Sequence, residues 1–288
     1  MTDGGHDARR GAVLIGDLVQ RVRAFVAEHG ATYEEYRAAK QWLIEVGEAG
    51  EWPLFLDVFV ESAVEERAYA ARPGSPGAIE GPYYLPDAPL LQPPFRLPCR
   101  DDEPGEALVL SGRVTSAGGG PLAGALLDVW QADAEGRYSG FSSEVPDGNL
   151  RGRVTAGDDG RYEVRTVRPA PYTIPHDGPT GRLIAAAGWH PWRPAHIHLK
   201  VSADGHELLT TQLTLADSEW VDDDVARAVK EPLIVRPQRR DGVLRIEHDF
   251  VLADLGSEAV APSRTAGAVA VAAPAPGRPT AVAAPGEP

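Results

Sequence analysis

The hydrophobic period of this chain changes once along its length, and that change limits the fold more than any other feature. Up to about residue 72 the apolar residues recur at helical spacing. Leu18, Val19, Val22, Phe25 and Val26 line one face of a segment that stops at His29-Gly30. Thr32 and Glu35 fit a capping box, in which each side chain satisfies a free backbone N–H at a helix start. Tyr36, Trp42, Leu43 and Val46 then share a face before Gly47. Pro53 suits a first helical position, and PLFLDVFVESAVEERAYAAR predicts one further helix that ends at Arg72-Pro73. The stretch Leu54 to Val60 is apolar around most of that helix. It must be covered on several sides, by the rest of the chain or by a second subunit.

From about residue 107 the period becomes that of strands. ALVLSGRVT, ALLDVWQA, GRVTA, RYEVRTV, AHIHLKV, ELLTTQLTL and VLRIEHDFVL are short runs rich in Val, Leu, Ile and Thr. Turn signals such as Gly118-Gly119-Gly120-Pro121, Asp159-Gly160 and Asp204-Gly205 separate them. Many short strands punctuated in this way predict a sandwich or a barrel. Thr173 to Trp192 has little periodicity and is rich in Gly and Pro, which predicts a long loop, functional or disordered. The Ala/Pro-rich stretch from Ala259 to Pro288 has no pattern and is expected to be disordered. The expected division is therefore helical over 1–72, β over 73–258 and a tail over 259–288.

Bulk properties exclude several functions. A formal charge of -14 opposes nucleic-acid binding, which needs a basic face against phosphates. No apolar run approaches the roughly 18–20 residues that span a bilayer. The first 25 residues lack the apolar centre and small-residue cleavage site of a signal peptide. A single cysteine, Cys99, leaves neither an internal disulfide nor a cysteine zinc site. These features together lead us to expect a cytoplasmic protein.

The sharpest local signal for chemistry is Arg193-Pro194-Ala195-His196-Ile197-His198. On a strand, residues two apart share a face, so two imidazoles point one way while Ile197 faces the other. Such a pair chelates a first-row metal, although two hydrogen-bonded core histidines would give the same pattern. Asp204 and Glu207 are the nearest carboxylates downstream, and Asp204 is committed to a turn. Tyr138 in EGRYSGF and Tyr172 in RPAPYTIP, both set among Gly or Pro after a strand, are further candidates. Periodicity does not distinguish them from packing tyrosines.

Longer motifs do. KQWLIEVGEAGEWPLFLDVFVE, IEGPYY, DVWQADAEGRYSGF, PAPYTIPHDGPTG, HPWRPAHIHLKV and TTQLTL together resemble the intradiol ring-cleavage dioxygenases, most closely catechol 1,2-dioxygenases of actinobacterial type. The resemblance spans roughly residues 15–253. It implies a mainly β protein, with a β-sandwich catalytic core and an N-terminal helical dimerisation region. It implies Fe(III) held by Tyr138, Tyr172, His196 and His198, and cleavage of catechol with O2 to cis,cis-muconate. Tyr172 would leave the metal and take a substrate proton. Arg193 would stabilise negative charge on the activated ring, with Gln212 beside it. Leu54, Asp57, Val58, Ile79, Pro82, Tyr83, Val225 and Ala226 match residues that line the family's ring pocket. Ala226 stands where enzymes preferring chlorinated catechols often carry cysteine, which favours plain or alkyl catechols. Homodimers joined through the N-terminal helices, sometimes holding phospholipid, are usual in the family.

Competing readings remain at this stage. A chlorocatechol or hydroxyquinol 1,2-dioxygenase differs only in substrate. A cupin-like Fe(II) or zinc protein could be built on the His-x-His pair, but needs a further close carboxylate. A transthyretin-like binding sandwich would explain the strands, though not the tyrosines, histidines and Arg193.

Overall fold

The computed structural model describes residues 4–70 and 72–255, with side chains from residue 9 onward. The expected tail, 259–288, lies outside the described residues. The fold divides into two compact units, one running through residue 55 with 175–188 added, the other formed by 56–174 and the chain from 189.

The first unit carries α1 (Gly4–His29), α2 (Tyr33–Glu48) and the beginning of α3 (Trp52–Phe59). The capping box forms as read: Thr32 Oγ1 accepts the Glu35 N–H at 3.2 Å, and the Glu35 carboxylate accepts the Thr32 N–H at 2.7 Å. On α1 the apolar positions from Val13 to Val26, including Leu18 and Phe25, stay exposed within the chain. The segment expected to be a bare loop contains a helix, α5 (Pro179–Ala186), in this same unit. Glu51 supplies its start, accepting the Thr180 N–H at 2.7 Å, and Trp42 Nε1–H donates to Pro179 O at 2.8 Å. Its side-chain partners come from more than a hundred residues away, and the one local sign of a helix start is Pro179 in its first turn.

The second expected departure concerns the single helix read from Pro53 to Arg72. It is two, α3 and α4 (Glu61–Tyr69), broken at Val60, whose φ of -123° is not helical. The apolar run passes through Val60 without a breaker residue, so the period carries no sign of the interruption. Leu54 and Val58 are buried, while Leu56, Val60 and Val64 remain exposed.

The second unit is a β-sandwich, not a barrel. Its strands begin with β1 (Ala107–Ser116), β2 (Leu126–Gln131), β3 (Arg151–Thr155), β4 (Arg161–Val167) and β5 (Tyr172–Thr173). They continue with β6 (Trp192–Arg193), β7 (His196–Ser202), β8 (Leu209–Leu215), β9 (Ile234–Val235), β10 (Gln238–Arg240), β11 (Val243–Glu247) and β12 (Phe250–Leu252). One sheet has the order β10-β11-β1-β12, with β4 antiparallel on the other edge of β1. The other has the order β3-β2-β7-β8-β9. The run VLRIEHDFVL forms two strands, both parallel to the long β1. The break at His248-Asp249 is held by β1 itself: His248 N–H donates to Ser111 O, and Asp249 Oδ1 accepts the Arg113 N–H at 2.7 Å.

Leu108, Leu110 and Val114 of one sheet meet Leu127, Val129, Ile197, Leu199, Val201 and Leu213 of the other in a shared core. Each such fully buried aliphatic side chain contributes roughly 1.5–3 kcal/mol over leaving it in water. On β7 the alternation assigns Ile197, Leu199 and Val201 to this core and turns His196 and His198 to the opposite face. Among the described residues, no helix is long and apolar enough to cross a membrane.

Candidate active site

The centre of the site follows from β7 being an interior strand. β2 lies on one side, pairing Trp130 with His198, and β8 on the other, pairing Gln212 with His198 and Thr214 with His196. Trp130 stacks flat on the His198 ring, 4.8 Å between centroids and 5° between planes. His196 Nδ1–H donates to Pro194 O at 2.6 Å, so its Nε2 is the unprotonated nitrogen. That Nε2 lies 2.9 Å from His198 Nε2. Burial, reinforced by the charge of Arg193, lowers the His196 pKa to about 3. Burial also holds His198 well below its ordinary value, with His196 adding to the effect. Two neutral imidazoles therefore direct nitrogens at one point, the arrangement a metal ion requires of them.

Both candidate tyrosines come to the same place. The two-strand ribbon β5–β6 pairs Tyr172 directly with Arg193, three residues before His196. Tyr138 follows a tight turn in which Asp133 Oδ1 accepts the N–H groups of Glu135 and Arg137. Gly136 lies in that turn with φ +83°, and a Cβ there would fall 2.9 Å from the Tyr172 Cβ. Only glycine allows the two tyrosine-bearing segments to approach so closely. The Tyr138 and Tyr172 rings meet edge to face at 5.2 Å, and the Tyr172 ring lies 5.6 Å from that of His196. Tyr83 stacks on Tyr138 at 4.6 Å and 19°. The Tyr138 hydroxyl is buried without a hydrogen-bond partner. Burial, with Tyr172 as neighbour, pushes its pKa well above the ordinary phenol value. Burial raises Tyr172 as well, against the opposing pull of Arg193.

Arg193 is 2% exposed and makes a dense set of polar contacts. Nε and Nη2 donate to Asp224 Oδ1 and Oδ2 at 3.0 and 3.1 Å, and Nη2 also donates to Gln212 Oε1 at 3.2 Å. Nη1 lies 3.2 Å from His196 Nε2. Burial disfavours the guanidinium charge, but Asp224 outweighs it and keeps the pKa above its ordinary value. Gln212 donates through Nε2 to Ala228 O at 3.0 Å. Asp224 was not foreseen from sequence. It belongs to the run Asp222-Asp223-Asp224, in which only Asp224 is buried, and nothing in the run distinguishes it.

Of the pocket-wall candidates, Ile79 and Ala226 are buried, and Asp57, Pro82, Tyr83 and Val225 are partly so. Tyr83 packs on both ligand-candidate tyrosines. Gly81, just before Pro82, has φ +72°, and a Cβ there would stand 3.8 Å from His198 Cε1. A second unforeseen residue, Glu61, anchors this segment: its carboxylate accepts the N–H groups of Glu80 and Gly81 at 2.7 and 3.1 Å. Val225 N–H donates to Trp192 O at 3.2 Å, next to Arg193. Val58 is buried on α3 in the same unit, whereas Leu54 belongs to the other unit.

Among the described residues, no three His, Cys, Asp or Glu side chains gather in a metal-binding group. The groups assembled around His196 and His198 are phenols and a guanidinium, which removes the footing of a cupin-like or zinc site. Neutral imidazoles, a partnerless buried phenol and a second phenol beside it suit a hard, highly charged cation. Such an ion would offset the burial that keeps the phenols protonated.

His196 and His198 of β7, Tyr172 and Arg193 of the β5–β6 ribbon and the loop residue Tyr138 thus form one buried polar cluster. Comparison with known proteins identifies its class. A family model described as "Dioxygenase" matches residues 79–254, and one described as "Catechol dioxygenase N terminus" matches residues 8–75. The chain belongs to the intradiol ring-cleavage dioxygenases. It is 42% identical over 231 residues to a chlorocatechol 1,2-dioxygenase of Rhodococcus opacus, covering 79% of this chain and 90% of the relative. It is 32% identical over 246 residues to a catechol 1,2-dioxygenase of Pseudomonas sp. (strain EST1001), covering 82% and 80%. The crystal structure of 3-chlorocatechol 1,2-dioxygenase from Rhodococcus opacus 1CP superposes with a TM-score of 0.81 at 44% identity, covering 85% of this chain and 99% of that one.

Proposed function

We propose that this dioxygenase cleaves catechol to cis,cis-muconate at a ferric centre held by Tyr138, Tyr172, His196 and His198. The observation that carries the reading is the 2.9 Å approach of two neutral histidine nitrogens beside the partnerless Tyr138 hydroxyl. Two phenolates and a hydroxide would balance the three charges of Fe(III) in a buried place. Held by these four residues, Fe(III) would supply Lewis-acid chemistry that makes the bound ring reactive toward O2.

The rest of the chemistry falls to the chain. Tyr172 Oη would hold a substrate proton, because burial favours its neutral phenol. Arg193 keeps its positive charge in a buried place, with Nη1 3.2 Å from His196 Nε2, from where it would stabilise negative charge on the ring. Gln212 fixes the guanidinium from the other side. Trp130 clamps the His198 ring in one orientation and covers it from water. Asp57, Val58, Ile79, Pro82, Tyr83, Val225 and Ala226 are proposed to wall the ring.

Ala226, at a position where enzymes preferring chlorinated catechols often carry cysteine, supports plain or alkyl catechols. The similarity to chlorocatechol 1,2-dioxygenases supports a chlorinated substrate as the second reading. Relative kcat/KM on catechol, 4-chlorocatechol and hydroxyquinol separates these. The primary test is anaerobic titration with catechol followed by oxygen, recording the visible spectrum, iron content and product. A yellow extradiol product, or a colourless iron-free protein with full activity, would overturn the assignment. The exposed apolar stripe of α1 and the residues Leu56, Val60 and Val64 support dimerisation through the region 1–72, where phospholipid could also be held. A monomeric mass by light scattering would refute the dimer. A cytoplasmic location accords with these assignments, and fractionation of the native host tests it.

A further inference from the structure

We propose that Asp224 is a positioning residue that couples the charge of Arg193 to the fit of the ring, by holding the guanidinium and the wall segment 225–228 with one carboxylate. The proposal rests on the ring-cleavage reading above. Each Asp224 oxygen takes one side-chain and one backbone donor. Oδ1 accepts from Arg193 Nε at 3.0 Å and the Ala226 N–H at 3.2 Å. Oδ2 accepts from Arg193 Nη2 at 3.1 Å and the Ala228 N–H at 3.1 Å. The circuit closes through Gln212, which accepts from Arg193 Nη2 through Oε1 and donates to Ala228 O through Nε2. Gln212 is itself fixed in register opposite His198 on β8.

This arrangement does more than neutralise a buried arginine. A carboxylate used only as a counter-ion needs the two guanidinium bonds and nothing further. Here half of its hydrogen bonds go to the backbone on either side of Arg227, and they set where the Ala226 side chain stands. Asp222 and Asp223, the preceding acids, are exposed and take no part. All four acceptor positions of the carboxylate are in use, so an amide cannot replace it: an Asn side chain must turn an NH2 toward donors. Arg193 and the wall then lose their common anchor together. A displacement of about 1 Å in a positioning group is enough to cost on the order of 100-fold in rate.

The test is a double-mutant cycle of Asp224→Asn and Arg193→Gln in the iron-loaded full chain. Iron content and the visible spectrum serve as loading controls. Two readouts are taken: kcat on catechol, and the ratio of anaerobic dissociation constants for 4-methylcatechol and catechol from spectral titration. D224N is expected to lower kcat by about 10-fold to 100-fold, and in the R193Q background by less than about 3-fold more, because both changes remove one function. The binding ratio is expected to shift at least about 3-fold with D224N in either background, since the Ala226 and Ala228 N–H groups bind Asp224 itself. Multiplying effects on kcat, or an unchanged binding ratio in both backgrounds, would overturn the coupling. If D224N fails to fold by circular dichroism, Asp224→Glu enters the same cycle. It keeps the charge but displaces both sets of bonds, and the same two outcomes decide. A wild-type protein that yields no muconate would instead defeat the ring-cleavage reading itself. An active wild type with a failed cycle defeats only the role of Asp224.

Discussion

Asp57 is a half-buried carboxyl on α3 that the fold holds at a cost, and replacing it by asparagine should stabilise the protein in a pH-dependent way. Burial, with the charge of Glu80 added, pushes its pKa from the ordinary 3.8 up to about 6. Glu61, nearby and also raised by burial, contributes a further negative charge to the same neighbourhood. A raised carboxyl pKa means that the folded state binds the proton more tightly than the unfolded chain does. The associated stability is fully present below about pH 3.8 and is lost as the pH rises through about 6. A fully buried group with this displacement would cost about 3 kcal/mol when ionised. Solvent screening at a half-exposed group reduces that to about 1–2 kcal/mol. Asp57→Asn keeps the shape and removes the charge. Its melting temperature at pH 7.5 should therefore exceed the wild type's by about 2–6 °C, with most of the gain gone near pH 4. Thermal denaturation followed by circular dichroism at both pH values, on samples of equal iron content, measures this directly. An equal gain at the two pH values, or a loss at pH 7.5, would refute the argument that the carboxylate charge is the destabilising element.

Further consequences can be checked with single variants. Arg193→Gln should lower kcat on catechol by roughly 100-fold, about 3 kcal/mol of transition-state stabilisation, while leaving iron content and visible colour in place. His198→Ala should abolish stable iron retention, read by metal analysis after gel filtration, because one of four proposed ligands and the Trp130 stack are lost together. Leu199→Ala, on the core face of the same strand, should cost about 2–5 kcal/mol of stability by chemical denaturation and leave the spectrum of the folded fraction unchanged. Thr32→Ala should cost about 1 kcal/mol through loss of the capping box at α2, with no effect on turnover.

Much of this molecule can be read before its coordinates are seen, and the parts that can are those governed by local rules. Strands β1 to β4, β7, β8, β11 and β12 appear in the sequence as short apolar runs, whereas the two- and three-residue β5, β6, β9 and β10 are too short to show a period. The cap at Thr32 is legible because both partners lie within three residues. His196 and His198 share a face because strand geometry leaves no other arrangement. The tyrosines were reached only through resemblance to a family: nothing local marks Tyr138 or Tyr172 apart from a packing tyrosine.

What the tertiary structure alone decided is which distant groups meet. The sequence determined a helical start, a β body and a histidine pair on one strand face, since these follow from period and turn residues. It could not show that β-branched Val60 interrupts a continuous apolar run, or that Glu51 and Trp42 build a helix at Pro179. Nor could it select Asp224 from three adjacent aspartates as the partner of Arg193, 31 residues away. Those choices depend on burial and on hydrogen bonds between segments far apart in the chain. Their energies exist only once the two sheets have packed and excluded water.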